Sequence, residues 1–379
     1  MVQESSVAII GAGAAGCVCA YFLQKSGIIP TIFDFGLPLR TLLPTGGGRC
    51  NLAHAEYDFK ELAKNYPRGE KFLYSVFSKF GTEDTISLFE EIGVKTYIQN
   101  DGRIFPVSNS SKIVREKILS SLKDINFIKE KVIKISKLEN GYKIKTTKAE
   151  YFFSKIVLST GGRTKIDGIK KQTVTEFYPS LVGLNTEIST LGGIVLNDVY
   201  SKDFDINGNI LFTHFGVSGP LIYRISSLKA KDKFPYKLSF DLYPKDINLQ
   251  DEFNRNPHKE LKNILSEYFP KRFAEFISEP EQNTKCHLIN GKTRDSILHK
   301  IHNFELIISG TNKGEETVTC GGYSLDNISP KTMESKIYEG LYIIGEALDI
   351  DGFCGGFNLQ NAWSTAFIAS QGICEKLLG

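Results

Sequence analysis

The apolar positions at the start of the chain fall into two short continuous runs separated by a mixed, glycine-bearing stretch. Val7 to Ile10 is unbroken by polar residues, the pattern of a strand buried on both faces of a parallel sheet. Thr31 to Phe33 repeats it and ends at Asp34. The sequence between them predicts a turn at Gly11 and a helix ending near Gly27. The buried-strand pattern returns at Lys155 to Thr164, which ends in Thr160, Gly161 and Gly162, and again at Leu341 to Ile344, which ends in Gly345 and Glu346. An apolar helix follows the last of these and runs to about Leu377.

The middle of the chain alternates differently. Tyr57 to Gly93 reads as helical, and Val94 to Pro106 as a hairpin turning at Asp101-Gly102. Ser108 to Ser111 offers caps for a further helix. Ile125 to Phe153 alternates like short antiparallel strands. From about Leu191 the sequence gives strands, then two amphipathic helical stretches, then strands again from Thr317.

Composition narrows the class. A chain of 379 residues suggests two or three domains, and 41% hydrophobic with 23% charged residues is ordinary for a globular protein. A net charge of +3 gives no reason to expect a nucleic-acid partner. Seven irregularly spaced cysteines do not form a disulfide framework, and a reducing cytoplasm is the expected setting. Cys17 and Cys19 lie on different faces of the first helix. The uncharged run from Ser5 to Leu23 has Glu4 and no basic residue before it and is broken by glycines, so no membrane association is expected.

The chemistry lies where strands end. Gly11-x-Gly13-x-x-Gly16 directly follows the first strand and opens the helix. Gly11 permits the tight turn, Gly13 lets a pyrophosphate reach the backbone, and Gly16 lets helix and strand pack closely. Asp34, at the end of the second strand, is placed to accept from ribose hydroxyls. Two further glycine loops flank this unit in the fold: Pro44-Thr-Gly-Gly-Gly-Arg-Cys-Asn51 and Asp351-Gly-Phe-Cys-Gly-Gly-Phe-Asn358. In an open parallel sheet such loops gather beyond the carboxyl ends of the strands. So many of them suit a long dinucleotide such as FAD better than a nicotinamide cofactor.

The chain resembles the aminoacetone-oxidase-like family of FAD-binding flavoproteins, within the glutathione-reductase-type FAD superfamily. The segments that carry this are GAGAAG, PTGGGRCN, DGRIFPVSNSS, STGG, FTHFGVSGP, TVTCGG, KTMESKIYEGLYIIGEALDIDG and GGFNLQNAW, in order over nearly the whole chain. The resemblance implies an α/β fold: a Rossmann-like FAD-binding domain (1–190 and 332–379) with an inserted β-barrel-like domain (191–246 and 303–331). That insertion would itself carry a small helical domain (247–302). Gly11, Gly13, Ala14, Ala15 and Gly16 would contact the pyrophosphate and Asp34 the adenosine ribose, where a longer Glu is common. Val132 would bind the adenine edge through its backbone. Gly46, Gly47, Gly48, Arg49, Cys50 and Asn51 would run along the pyrophosphate and ribityl chain. Glu346, Asp351 and Gly352 would serve the ribityl and phosphate region. Gly355, Gly356, Phe357, Asn358, Leu359 and Gln360 would bracket the isoalloxazine ring with backbone N–H groups. Cys354 stands where most relatives have Thr.

Other patterns point less far. Asn290-Gly-Lys-Thr-Arg-Asp resembles the end of a phosphate loop but has Cys286 where the pattern needs glycine. Cys286, His287, His299 and His302 lack the usual spacing of metal ligands, and no metal is expected. Lys262, Lys271 and Arg272, interleaved with Tyr268 and Phe269, fit an amphipathic helix. His214 and Arg49 are the candidates for a role beside the flavin. The expected activity is hydride transfer between a small organic substrate, an amino-ketone or an unsaturated carbonyl, and flavin N5. Oxygen or a transiently bound NAD(P)H would be the other partner, since no second G-x-G-x-x-G and no redox-active cysteine pair occurs. A flavoenzyme acting on RNA and a non-catalytic flavin-bound sensor are the alternatives.

Overall fold

The computed structural model describes residues 6–243, 247–312, 314 and 318–379. They form two compact units, 1–178 with 319–379, and 179–318.

In the first unit β1 (Val7–Ile10), α1 (Ala14–Lys25) and β2 (Thr31–Phe33) make the opening strand–helix–strand. A small sheet follows, of β3 (Ala53–His54), β4 (Thr96–Ile98) and β5 (Arg103–Pro106). Between its first two strands stand α2 (Phe59–Ala63), α3 (Glu70–Phe77) and α4 (Thr82–Glu91). The predicted helical stretch thus breaks into three pieces, at Pro67–Gly69 and at Gly81. Asp58 caps α2 by accepting from the N–H groups of Lys60 and Glu61. After α5 (Ser111–Ser121), β6 (Asn126–Ile128) joins β2 in parallel. Only β7 (Val132–Leu138), β8 (Gly141–Thr146) and β9 (Glu150–Phe153) form the expected antiparallel excursion. The strand β10 (Lys155–Leu158) returns to the main sheet beside β1.

The chain then leaves the first unit through β11 (Tyr178–Ser180). The second unit holds β12 (Leu184–Asn185), β13 (Val195–Ser201), β14 (Ile206–Phe212) and β15 (Gly216–Ser218). These are followed by α6 (Pro220–Leu228), β16 (Tyr236–Asp241), and the helices α7 (Leu249–Arg255), α8 (Leu261–Leu265), α9 (Lys271–Ile277) and α10 (Gly291–His302). Two more strands, β17 (Phe304–Ile308) and β18 (Gly310–Thr311), complete an antiparallel sheet of order β17-β16-β13-β14-β15-β12-β18. Its two edge strands are separated in sequence only by Ser309, so the sheet nearly closes into a barrel. The helices share the barrel's core: Phe273 of α9 packs against Phe212 and Phe304 at 5.8 and 5.9 Å. Thr317, where strands were expected to resume, lies outside the described residues.

The chain re-enters the first unit through β19 (Val318–Cys320) and ends with β20 (Leu341–Ile343) and α11 (Phe357–Leu378). The main sheet has the order β20-β10-β1-β2-β6, and its pairs are parallel. The sheet has apolar strands in β20, β10, β1 and β2 because both their faces are covered, whereas its edge strand β6 is exposed. Its outcome is topological: the four segments with candidate chemistry leave the same edge of four adjacent strands.

Candidate functional site

The site grows from the ends of β1, β2, β10 and β20. At β1 the three glycines have distinct surroundings. A Cβ on Gly16 would lie 2.0 Å from the Gly11 carbonyl oxygen, and one on Gly11 would lie 2.3 Å from the Ser159 carbonyl oxygen. Both are therefore places where backbones touch. A Cβ on Gly13 would meet nothing within 4 Å, so this glycine faces open space at the start of α1. Ser159, at the end of β10, donates its hydroxyl to the Ile10 and Gly11 carbonyls and locks the turn.

Asp34 turns inward. Its Oδ2 accepts from the Ala12 N–H at 2.7 Å and its Oδ1 from the Gly36 N–H at 2.7 Å. The short side chain thus braces the glycine turn of β1, and any bond to a ribose would use its remaining lone pairs. Val132 is buried at the start of β7, opposite Thr146.

The Thr45–Gly48 turn has three consecutive left-handed residues, Gly46, Gly47 and Gly48, with φ of 58°, 66° and 83°. Only glycine adopts such a run without strain. A Cβ on Gly46 would strike the Asn51 N–H nitrogen and Phe105, whereas Gly47 and Gly48 face open space. Arg49 lies with its guanidinium 4.1 Å from the centre of the Phe105 ring and donates Nε–H to the Gly46 carbonyl. Cys50 is fully buried, and that burial raises its thiol to about 12, so it packs as a protonated, unreactive group.

Two buried oxygens in this region, Asn51 Oδ1 and Thr160 Oγ1, have no hydrogen-bond partner among the described residues. Leaving such an atom unpaired costs about 1–3 kcal/mol. Both belong to loops expected to line the cofactor. The open glycines and the waiting oxygens fit a ligand with hydroxyls and phosphates, and so fit FAD.

At β20, Glu346 accepts from the Thr319 N–H at 2.9 Å through Oε1. Desolvation raises its carboxyl above the usual range, and the N–H groups of Thr319 and Gly162 oppose this only in part. Gly345 donates its N–H to Thr365 Oγ1 at 2.9 Å. The Asp351 side chain is 0% exposed and both its oxygens engage the Arg68 guanidinium, so it anchors the loop from inside.

The last loop is tied down at several points. The Asn358 amide donates to the Gly352 carbonyl and accepts from its N–H, at 2.8 and 2.9 Å. Tyr66 donates its hydroxyl to the Phe357 carbonyl at 2.6 Å, and His54 stacks on the Phe357 ring at 4.9 Å. Nδ1 of His54 lies 3.2 Å from the Gly355 carbonyl oxygen. A Cβ on Gly356 would lie 2.4 Å from the Ala53 carbonyl oxygen. Gln360 has its side chain buried against Gly81, Thr85 and Ser364, and its backbone N–H donates to the Gly356 carbonyl at 3.0 Å. The first N–H groups of α11, at Phe357 to Leu359, start a 22-residue helix and present its positive end. Cys354 is exposed beside them.

Arg68, Tyr66, His54 and Trp363 carry no local signal of a role here. Trp363 donates its indole N–H to the Leu52 carbonyl and so joins α11 to the glycine loop. Their partners lie hundreds of positions away, which local patterns cannot reveal. In the second unit His214 packs edge-on against Phe215. Asn290 caps α10 by accepting from the Thr293 N–H, which accounts for the phosphate-loop-like segment. His302 bonds Asp241 and His287 bonds the Pro257 carbonyl; no group of three potential metal ligands converges among the described residues.

Residues 5–372 match the family described as HI0933-like protein Rossmann domain. The chain is 29% identical to a ribosomal RNA dihydrouridine synthase of Escherichia coli (strain K12), over 98% of each chain. It is 25% identical to a 3-dehydro-bile acid delta(4,6)-reductase of Clostridium scindens, over 98% of this chain and 99% of that protein. Among solved structures, a flavocytochrome c3 fumarate reductase in its open conformation aligns with a TM-score of 0.51 at 14% identity. That alignment covers all of this chain and 79% of that one, a likeness of fold. Among the described residues, no helix is long and apolar enough to cross a membrane.

Proposed function

The chain belongs to the HI0933-like family of Rossmann-domain flavoprotein oxidoreductases, and from that membership we propose that it is an FAD-dependent reductase of carbon–carbon double bonds conjugated with a carbonyl. Support for the cofactor comes from glycines and oxygens of these loops: Gly13, Gly47 and Gly48 face open space, and the buried Asn51 Oδ1 and Thr160 Oγ1 have no hydrogen-bond partner among the described residues. The reaction is supported by the two relatives, whose names share one chemistry. Dihydrouridine is uridine with its carbonyl-conjugated ring double bond saturated, and a delta(4,6)-reductase of a 3-keto steroid saturates the same kind of bond. Amino-ketone oxidation has no comparable support.

Bound FAD supplies hydride transfer at its N5 atom. The protein's part is to hold and to polarise. The glycine turn at Gly11 to Gly16 and the dipole of α1 take the pyrophosphate. The first turn of α11 offers N–H groups to negative charge at the ring. Asn358, Tyr66 and His54 fix that turn in place, and Arg49 adds a cation held flat on Phe105. With no second dinucleotide motif, NAD(P)H would visit this same face as electron donor.

Anaerobic stopped-flow tests the proposal. NADH or NADPH reduces the flavin, and a cyclic enone or a uridine-containing RNA then reoxidises it. Reoxidation by neither, with reduction of the oxidised flavin by aminoacetone, overturns the reading in favour of an amino-ketone oxidase.

A further inference from the structure

The positive charge of this chain is concentrated in one small sheet. Residues 129–155 carry eight lysines and three glutamates, a net of +5, whereas the whole chain nets +3. The rest of the molecule is therefore slightly acidic. The alternation of β7, β8 and β9 sorts these residues by face. Ile135, Tyr142, Ile144 and Thr146 are buried on the inner face. Lys134 and Lys145 face each other across β7 and β8, and Lys143 lies opposite Phe152 across β8 and β9. Phe152 is 64% exposed.

Two features set this face apart from an ordinary solvated surface. Like charges directly opposite on neighbouring strands destabilise a sheet. Yet neither Lys134 nor Lys145 makes an ion pair among the described residues, while Lys143 is paired with Glu150. The backbone of Lys134 bridges to that of Asp167. The other feature is an aromatic ring left in water in the middle of the basic patch. By contrast, among the described residues four basic residues of the helical insertion are ion-paired, Arg255 and Arg294 among them. Lys259 pairs with Glu267, Lys262 with Glu260, and Arg272 donates to the carbonyls of Thr190 and Gly192.

We propose that the outer face of the β7–β8–β9 sheet is a docking surface for single-stranded RNA. Lysines supply the phosphate contacts, and Phe152 supplies a platform on which a base stacks. An anionic membrane would match the charge, and Ile133 and Leu138 of the same sheet are exposed along with Phe152; the exposed ring between lysines is what favours RNA, through base stacking. The net charge of the chain had given no reason to expect such a partner; its distribution does. The inference does not depend on the redox reading, because docking is measured without turnover.

The test uses the full chain with its flavin and a fluorescein-labelled oligouridine, followed by anisotropy across a series of KCl concentrations. Wild type is expected to bind with a logarithmic salt slope that falls by about 0.7 for each lysine contact removed. Lys134→Glu with Lys145→Glu should weaken binding at low salt by roughly tenfold or more, and Phe152→Ala should weaken it with the slope unchanged. Lys259→Glu with Lys262→Glu, on the other unit, should bind as wild type. The flavin spectrum of each variant reports intact folding. Absence of salt-dependent RNA binding by wild type, equal binding by the Lys134/Lys145 variant, or binding only to phosphatidylserine vesicles overturns the proposal.

Discussion

At the scale of single residues, the candidate site is held together by buried polar groups paired with one another. Asp351 is the clearest case: a carboxylate without solvent contact, held by Arg68. Removing one partner of such a pair strands the other. Arg68→Ala should therefore cost about 3–5 kcal/mol of stability, with Arg68→Lys losing less, as read from chemical denaturation. Glu346 makes a different prediction. Burial raises its carboxyl in the folded state, so in the window just above the ordinary carboxylate value the folded chain keeps a proton that the unfolded chain has released. Stability of the flavin-free protein should fall as pH rises through that window and stay lower beyond it. Glu346→Gln should flatten the fall, which melting temperatures across mildly acidic pH would reveal. Cys50, raised to about 12 by burial, should not react with alkylating agents in the folded protein.

At the scale of elements, the first glycine motif separates packing from binding. Gly16 has the Gly11 carbonyl oxygen 2.0 Å from where a Cβ would stand, so Gly16→Ala should destabilise or unfold the protein. Gly13 has an extended backbone and nothing within 4 Å. Gly13→Val should leave the melting temperature of the flavin-free chain nearly unchanged and weaken FAD binding by roughly tenfold or more, about the loss of 1.4 kcal/mol. Fluorescence titration with FAD checks the second half. These elements were legible because buried strands, glycine turns and a following helix carry local patterns. The strand β6 was misjudged, since Asn126 to Ile128 alternates like its antiparallel neighbours and only its pairing with β2 shows where it belongs. The inward turn of Asp34 and the burial of Asp351 and Gln360 were hidden for the same reason: each depends on a neighbour supplied by a distant element. A segment can serve a cofactor through its backbone while its side chains hold the loop together.

At the scale of the whole molecule, the chain devotes both its ends to one parallel sheet and inserts the barrel unit between β10 and β20. That topology brings Gly13, near the start, and the first turn of α11, near the end, into the same unit, as binding one ligand would require. It also explains why neither end of the chain should bind the cofactor alone. The central claim is that this groove holds FAD. The most direct measurement is a visible-absorbance and fluorescence titration of the purified protein with FAD. The account predicts flavin bands that saturate at one FAD per chain, and that need roughly tenfold or more higher FAD to saturate in the Gly13→Val variant. A folded protein that shows no flavin bands, even with FAD in excess, would contradict it.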